Sequence, residues 1–359
     1  MTSMATLGGL TPADKRLVGA STVALAASAA VYYPGAGRIA PFVVTGVALA
    51  LLAALVGRSV DRLGDRLGSG ATGVVQSALG NLPELFIGIF ALRSGLIEVV
   101  QAALVGSILA NLLLVLGLAF LAGGIRHGTQ RFRAEAARLA VLLLVLSVAI
   151  IMVPTLSSHF GGAAAHHERA LSNIASLVLL AVFALSIPAS LKSAAPKEQE
   201  RALEGALWPV WLVVVVLSAS SVAAAFVSDW FIAALAPALT QLHVSQAFAG
   251  LVIVAIAGNA VENFVGIKLA MQDRSDYALS VILQSPVQIA LGLIPVLVLL
   301  SNFVGGGALT LVMPTLLVAA LALGTVVTIV VVFDGESTWL EGASLVGLYV
   351  TIAAAFWWG

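Results

Sequence analysis

Gly80-Asn81-Leu82-Pro83-Glu84 sits in the middle of a long apolar stretch, and Gly258-Asn259-Ala260-Val261-Glu262 echoes it in the second half of the chain. Each places a lone carboxylate, an amide and a glycine among apolar neighbours. In hydrocarbon an ionisable side chain is costly, so it tends to face a bundle interior, a cavity or an ion path. Two such carboxylates in matching contexts read as one binding site built from two halves.

The echo is longer than five residues. Sliding Gly80–Leu114 onto Gly258–Gly292 at a constant offset of 178 gives eight identical pairs. They are Gly80/Gly258, Asn81/Asn259, Glu84/Glu262, Phe86/Phe264, Gly88/Gly266, Ile89/Ile267, Ser107/Ser285 and Leu113/Leu291. Matching apolar letters carry little information in so apolar a chain, whereas the identical Asn, Glu and Ser carry a great deal. An internal repeat of this kind is the mark of a secondary transporter with its site at the repeat interface.

Composition fixes the broad class. Of 359 residues, 60% are hydrophobic and 9% charged, where a soluble domain has about a quarter charged. This predicts an all-α polytopic membrane protein. The absence of cysteine excludes disulfides and thiolate metal sites. No cleavable signal peptide is expected, because no small-residue cleavage site follows the long first apolar run. No nucleic-acid partner and no resident cofactor are expected; the partners expected are inorganic cations, protons and the lipid bilayer.

Stretches of about 20 apolar residues suffice to cross a bilayer. Eleven are expected, at 17–34, 39–57, 71–92, 97–122, 135–154, 170–191, 208–228, 244–271, 276–303, 308–333 and 339–357. The longest linkers are 155–169 and 192–207. The second, with Pro196 and the charged run Lys197-Glu198-Gln199-Glu200-Arg201, divides the chain. The expected layout is an N-terminus and first helix over 1–38, a five-helix repeat over 39–191, a cytoplasmic linker over 192–207 and a second five-helix repeat over 208–359.

Basic residues in short loops set the orientation. With the N-terminus cytoplasmic, thirteen of the seventeen Lys and Arg fall in inside segments and three in outside ones, leaving Lys268 within a helix. The C-terminus is then outside. Five helices per repeat is an odd number, so the second repeat enters the membrane inverted relative to the first. The expected home is the plasma (inner) membrane, and a homo-oligomer is compatible with the sequence.

Glu84 and Glu262 are the leading site residues. Burial raises a carboxyl pKa while a bound cation lowers it, so a pair holds either a cation or protons. Calcium takes about 6–8 oxygens at about 2.3–2.6 Å. Two carboxylates supply up to four, and Asn81, Asn259, backbone carbonyls and water are the candidates for the rest. Pro83 removes a backbone donor and frees a carbonyl near Leu79, by ligation or by simple kinking. Ser107 with Asn111, and Ser285 with Gln288, share helical faces and suit a polar lining; interhelical hydrogen bonding is the plainer reading. Lys268 reads as snorkelling toward the cytoplasmic end. Glu98 and Asp276 open matching helices, where acids suit the helix dipole. His159, His166 and His167 fall in one outside loop.

At these residues the chain resembles the cation/calcium exchanger superfamily, and most of all its calcium/proton exchanger branch. That branch shows Gly-Asn-Ala-x-Glu-Leu in the third helix and Gly-Asn-Ala-Ala-Glu-His in the eighth. Here the two stand as Gly80-Asn81-Leu82-Pro83-Glu84-Leu85 and Gly258-Asn259-Ala260-Val261-Glu262-Asn263. The run Gly106–Gly117 is close to the family's fourth helix, and Ser285 with Gln288 fits its partner. The resemblance spans nearly the whole chain and implies one plus five plus five helices in inverted repeats, the sodium/calcium exchanger-like fold. It also implies Glu84 and Glu262 as shared ligands and proton carriers, supported by Asn81 and Asn259. Asn263 departs from the family histidine, Pro83 matches the Leu-Pro-Glu of the sodium/calcium branch, and Lys268 adds a cation.

The expected function is secondary antiport of a cation, foremost calcium, against protons by alternating access. Sodium or potassium against protons, or sodium against calcium, are the transport alternatives. A passive channel or an intramembrane enzyme finds little support, since no His-Glu-x-x-His and no cofactor loop is present.

Overall fold

The computed structural model describes residues 10–33, 37–161, 166–193 and 208–358; the side chains of 64–78, 134–136, 188–193 and 260–263 lie outside that description. Most of the expected linker 192–207 also lies outside it. Among the described residues the chain is nearly all helix.

Twelve helical elements follow one another among the described residues: α1 Pro12–Tyr32, α2 Ile39–Leu79, α3 Leu82–Arg93, α4 Ile97–His127, α5 Ala134–His159, α6 Glu168–Ser193, α7 Val210–Leu242, α8 Gln246–Gly258, α9 Ala260–Ala270, α10 Ser275–Val304, α11 Thr315–Val332 and α12 Trp339–Trp357. Eight of the described helices are long and apolar enough to cross a membrane. The chain is thus a multi-pass membrane protein, as its composition requires.

Four expected segments are drawn differently. The stretch 58–70, expected as a loop, is helical, so α2 runs unbroken for 41 residues. Its charges end the hydropathy signal but not the helix: Arg58, Arg62 and Arg66 recur every fourth residue, as do Asp61 and Asp65, and no proline intervenes. The expected spans 71–92 and 244–271 are each broken, at Gly80-Asn81 between α2 and α3 and at Asn259 between α8 and α9. The span expected at 308–333 begins only at Thr315.

That last difference has a clear cause. Gly305, Gly306 and Gly307 have φ of 82°, 83° and 129°, a left-handed region glycine enters without strain, and the chain continues extended to Pro314. An extended backbone buried among helices must find its hydrogen-bond partners in side chains. Ser301 Oγ accepts from Leu309 N at 2.9 Å, Ser172 Oγ from Leu311 N at 3.0 Å and Thr155 Oγ1 from Met313 N at 3.0 Å. Thr155 donates to the Leu311 carbonyl at 2.8 Å, and the Gln101 amide donates to those of Thr310 and Val312 at 3.1 and 2.9 Å. Four helices therefore share one extended strap.

Packing divides the molecule into two compact units. One holds α1, α2, α3 as far as Phe90, α6 from Ala184, and α7; the other holds the chain from Ala91 to Phe183 and from Leu242 onward. Each unit draws on both sequence repeats. In the second unit three turns gather at the end opposite the strap. There β1 (Gln130–Arg131) pairs antiparallel with β2 (Glu336–Ser337), and the Arg131–Glu336 ion pair closes at 3.1 Å. Gln130 donates to Ala270 O at 3.0 Å and Asp273 Oδ1 at 2.9 Å, while Arg133 N donates to Asp276 Oδ1 at 2.6 Å.

Candidate functional site

Both signature motifs fall at helix breaks, and the breaks are what place their polar groups. Asn259 takes φ −99° and ψ 13°, ending α8 and opening α9. Its amide nitrogen donates back to Ala255 O at 3.0 Å and across to Ser107 Oγ on α4 at 3.0 Å. Its amide oxygen accepts from Ser285 Oγ on α10 at 3.3 Å. Ser285 Oγ in turn accepts from Asn111 Nδ2 at 3.4 Å, and the same nitrogen donates to Ser107 O at 2.9 Å. Three helices of the second unit are thus joined through four of the side chains the sequence singles out.

The orientation of both amides is fixed by chemistry. A backbone carbonyl only accepts, so nitrogen must face Ala255 O and Ser107 O. Both hydrogens of Asn111 are then used, and its Oδ1 is fully buried without a donor. An orphaned buried acceptor costs about 1–3 kcal/mol. A hard cation or a water molecule relieves that cost, and an amide oxygen is a suitable ligand for such a cation.

Local helix geometry is irregular around these residues. Residues 110–115 of α4, 249–254 of α8 and 289–293 of α10 form π-helical turns. Two of them lie just past Ser107 and Ser285 and the third just before Asn259. Wide turns of this kind are rare and concentrate at functional sites. Two glycines then let the helices approach. A Cβ on Gly106 would sit 2.2 Å from Leu251 O, and one on Gly250 2.5 Å from Val99 O. The sequence marks Gly106 only as part of a run, and nothing in it singles out Gly250.

The remaining expected residues are placed one by one. Gln288 is buried on α10, three residues beyond Ser285. Asn81 is buried at the α2–α3 break and Glu84 lies in the first turn of α3, both in the first unit. Pro83 stands at the second position of α3, where a missing N–H loses no helical bond. It starts a helix, and does not kink a continuous one. The side chains of Glu262 and Asn263 lie outside the described residues. Lys268 is exposed in the last turn of α9, where the helix dipole favours a cation. Asp276 pairs with Arg133 at 3.6 Å.

With this geometry in place, the likeness to known proteins is specific. The chain is 32% identical over 351 residues to the Ca(2+)/H(+) antiporter of Synechocystis sp., covering 92% of this chain and 94% of that one. It is 32% identical over 337 residues to the Ca(2+)/H(+) antiporter ChaA of Bacillus subtilis, covering 90% and 93%. The solved structure of native YfkE superposes with a TM-score of 0.79 at 30% identity, over 94% of this chain and 99% of that one. The pattern that defines the sodium/calcium exchanger proteins matches residues 38–192 and 208–358, leaving out the first helix and the linker. Matched over both halves, the chain belongs to the sodium/calcium exchanger protein family.

Proposed function

We propose that this protein is a calcium/proton antiporter working by alternating access, with the paired signature motifs as its ion site. The observation that carries the reading is the buried network of Ser107, Asn111, Asn259 and Ser285, which joins the second motif to repeat-related helices and leaves an amide oxygen unsatisfied. Relatives named Ca(2+)/H(+) antiporters, aligned over about nine-tenths of the chain, supply the substrates. In this reading Glu84 and Glu262 carry cation and protons in turn, because a buried carboxyl favours protonation and an adjacent cation reverses that preference. Asn81, Asn259, Ser107, Ser285, Asn111 and Gln288 line the path. No covalent chemistry is required, so the protein is a transporter and not an enzyme.

The proposed setting is the inner membrane, with the N-terminus cytoplasmic and the C-terminus outside. The turns at 128–133, 271–276 and 334–337 meet at one end of the second unit; all three fall inside in the orientation read from the basic residues. The test is a cation panel in proteoliposomes with a pH indicator. Calcium is expected to drive proton movement, while sodium and potassium leave it unchanged. Proton movement driven by sodium, or calcium flux that requires sodium, would favour the rival exchange modes.

A further inference from the structure

The first helix lies outside both repeats, and the family pattern begins only at residue 38. Its packing nevertheless follows a strict rule. The buried residues of α1 are Asp14, Ser21 and Ser28, spaced by seven. Their partners on α2 are Arg58, Leu51 and Val44, which descend by seven. Arg58 Nε donates to Asp14 Oδ1 at 3.0 Å and Ser21 Oγ to Leu51 O at 3.2 Å. Ser28 Oγ donates to Ala24 O at 2.8 Å with Val44 O at 3.5 Å. A seven-residue period is the seam of supercoiled helices, and small polar residues on it let membrane helices pack closely.

The same carboxylate reaches a third helix. Trp208, buried just before α7, donates its Nε1–H to Asp14 Oδ2 at 3.1 Å. At the other end of α1, Tyr32 stacks on Trp230 of α7 at 5.6 Å and Tyr33 meets it edge-on at 5.7 Å. Phe42 of α2 stacks on Phe231 of α7 at 5.2 Å. Asp14 and Tyr32 lie about 27 Å apart along a helix. The three helices are therefore tied at both ends of α1.

We infer that α1 is a brace that makes α2 and α7, the leading helices of the two repeats, one moving body, with Asp14 as its positioning residue. The inference rests on the alternating-access reading above. A shift of α1 along α2 by one residue, about 1.5 Å, breaks all three polar contacts together, so the helices move jointly or not at all. Asp14 touches no transported ion in this account and acts through Arg58 and Trp208.

The test exploits the absence of cysteine from the chain. Tyr33→Cys with Trp230→Cys is cross-linked by a short bifunctional thiol reagent and reconstituted. Exchange by the cross-linked protein is expected to stay within about twofold of the same protein before cross-linking. Asp14→Asn, normalised to monodisperse folded protein, is expected to slow turnover about fivefold or more, the scale of losing a hydrogen bond to a charged group. Its calcium half-saturation stays unchanged, and the cross-link restores its turnover. Trp208→Phe gives the same split in milder form if Asp14→Asn does not fold. Loss of exchange on cross-linking, or parent-like turnover in both variants, overturns the brace. A parent that moves no calcium at all overturns the antiport reading instead.

Discussion

At the scale of single residues, the candidate site is a hydrogen-bond network whose donors are nearly all consumed inside the protein. Asn259 bridges Ala255, Ser107 and Ser285. Asn259→Ala leaves two hydroxyls without that partner and is expected to raise the calcium half-saturation about ten- to hundredfold, the equivalent of about 1.4–2.7 kcal/mol. Asn111→Leu removes the orphaned oxygen and is expected to weaken calcium while leaving the protein folded, as read by calcium-dependent proton release and by gel filtration. Asp14 answers a different question. Burial alone would raise its pKa, but bonds from Thr11, Arg58 and Trp208 hold it below the ordinary 3.8. A carboxyl depressed in the fold stabilises above its unfolded pKa and loses that contribution as pH falls through the folded value. Thermal melts should therefore separate parent from Asp14→Asn near pH 7, with the gap closing as pH drops below about 4. Polar residues in an apolar chain are conspicuous, which is why Ser107, Asn111, Asn259 and Ser285 were legible from sequence alone. Asp14 was not: an acid at position 14 reads as an ordinary first-turn residue until its three partners are seen.

At the scale of elements, helix breaks and close crossings shape the site. Gly106 and Gly250 sit where α4 and α8 touch backbone to backbone. Gly106→Ala would drive a methyl to 2.2 Å from Leu251 O, an overlap no rotamer relieves. The variant is expected to lose several kcal/mol of stability, seen as a lowered melting temperature or failure to purify, whereas Gly19→Ala, with open space around it, stays near the parent. The breaks themselves were half legible. Proline and glycine announced an irregularity at 80–83, yet the second break has no proline and shows only in the backbone at Asn259. Hydropathy misplaced two boundaries because it scores polarity and not hydrogen bonding. It ended a helix at the charges of 58–70, although the backbone stays helical there, and continued one through 308–314, whose apolar residues form a strap held by Gln101, Thr155, Ser172 and Ser301.

At the scale of the whole molecule, the duplication was the most readable feature. The identical Gly, Asn, Glu and Ser at one constant offset implied two inverted halves, and the family match over 38–192 and 208–358 divides the chain at the same linker. Packing cuts across that ancestry, since each compact unit combines segments of both repeats. Sequence similarity between repeats records descent, while the units record which surfaces bury one another, and the second is not visible in an offset. The central claim is that one carboxylate from each repeat takes part in holding a single cation or its replacing protons. The direct measurement is proton release per calcium bound in detergent solution, for the parent and for Glu84→Gln and Glu262→Gln. The account predicts that the parent releases up to two protons per calcium, because two carboxyls deprotonate, and that each variant loses tight calcium binding together with its proton release. Parent-like calcium binding and proton release in either variant would contradict it.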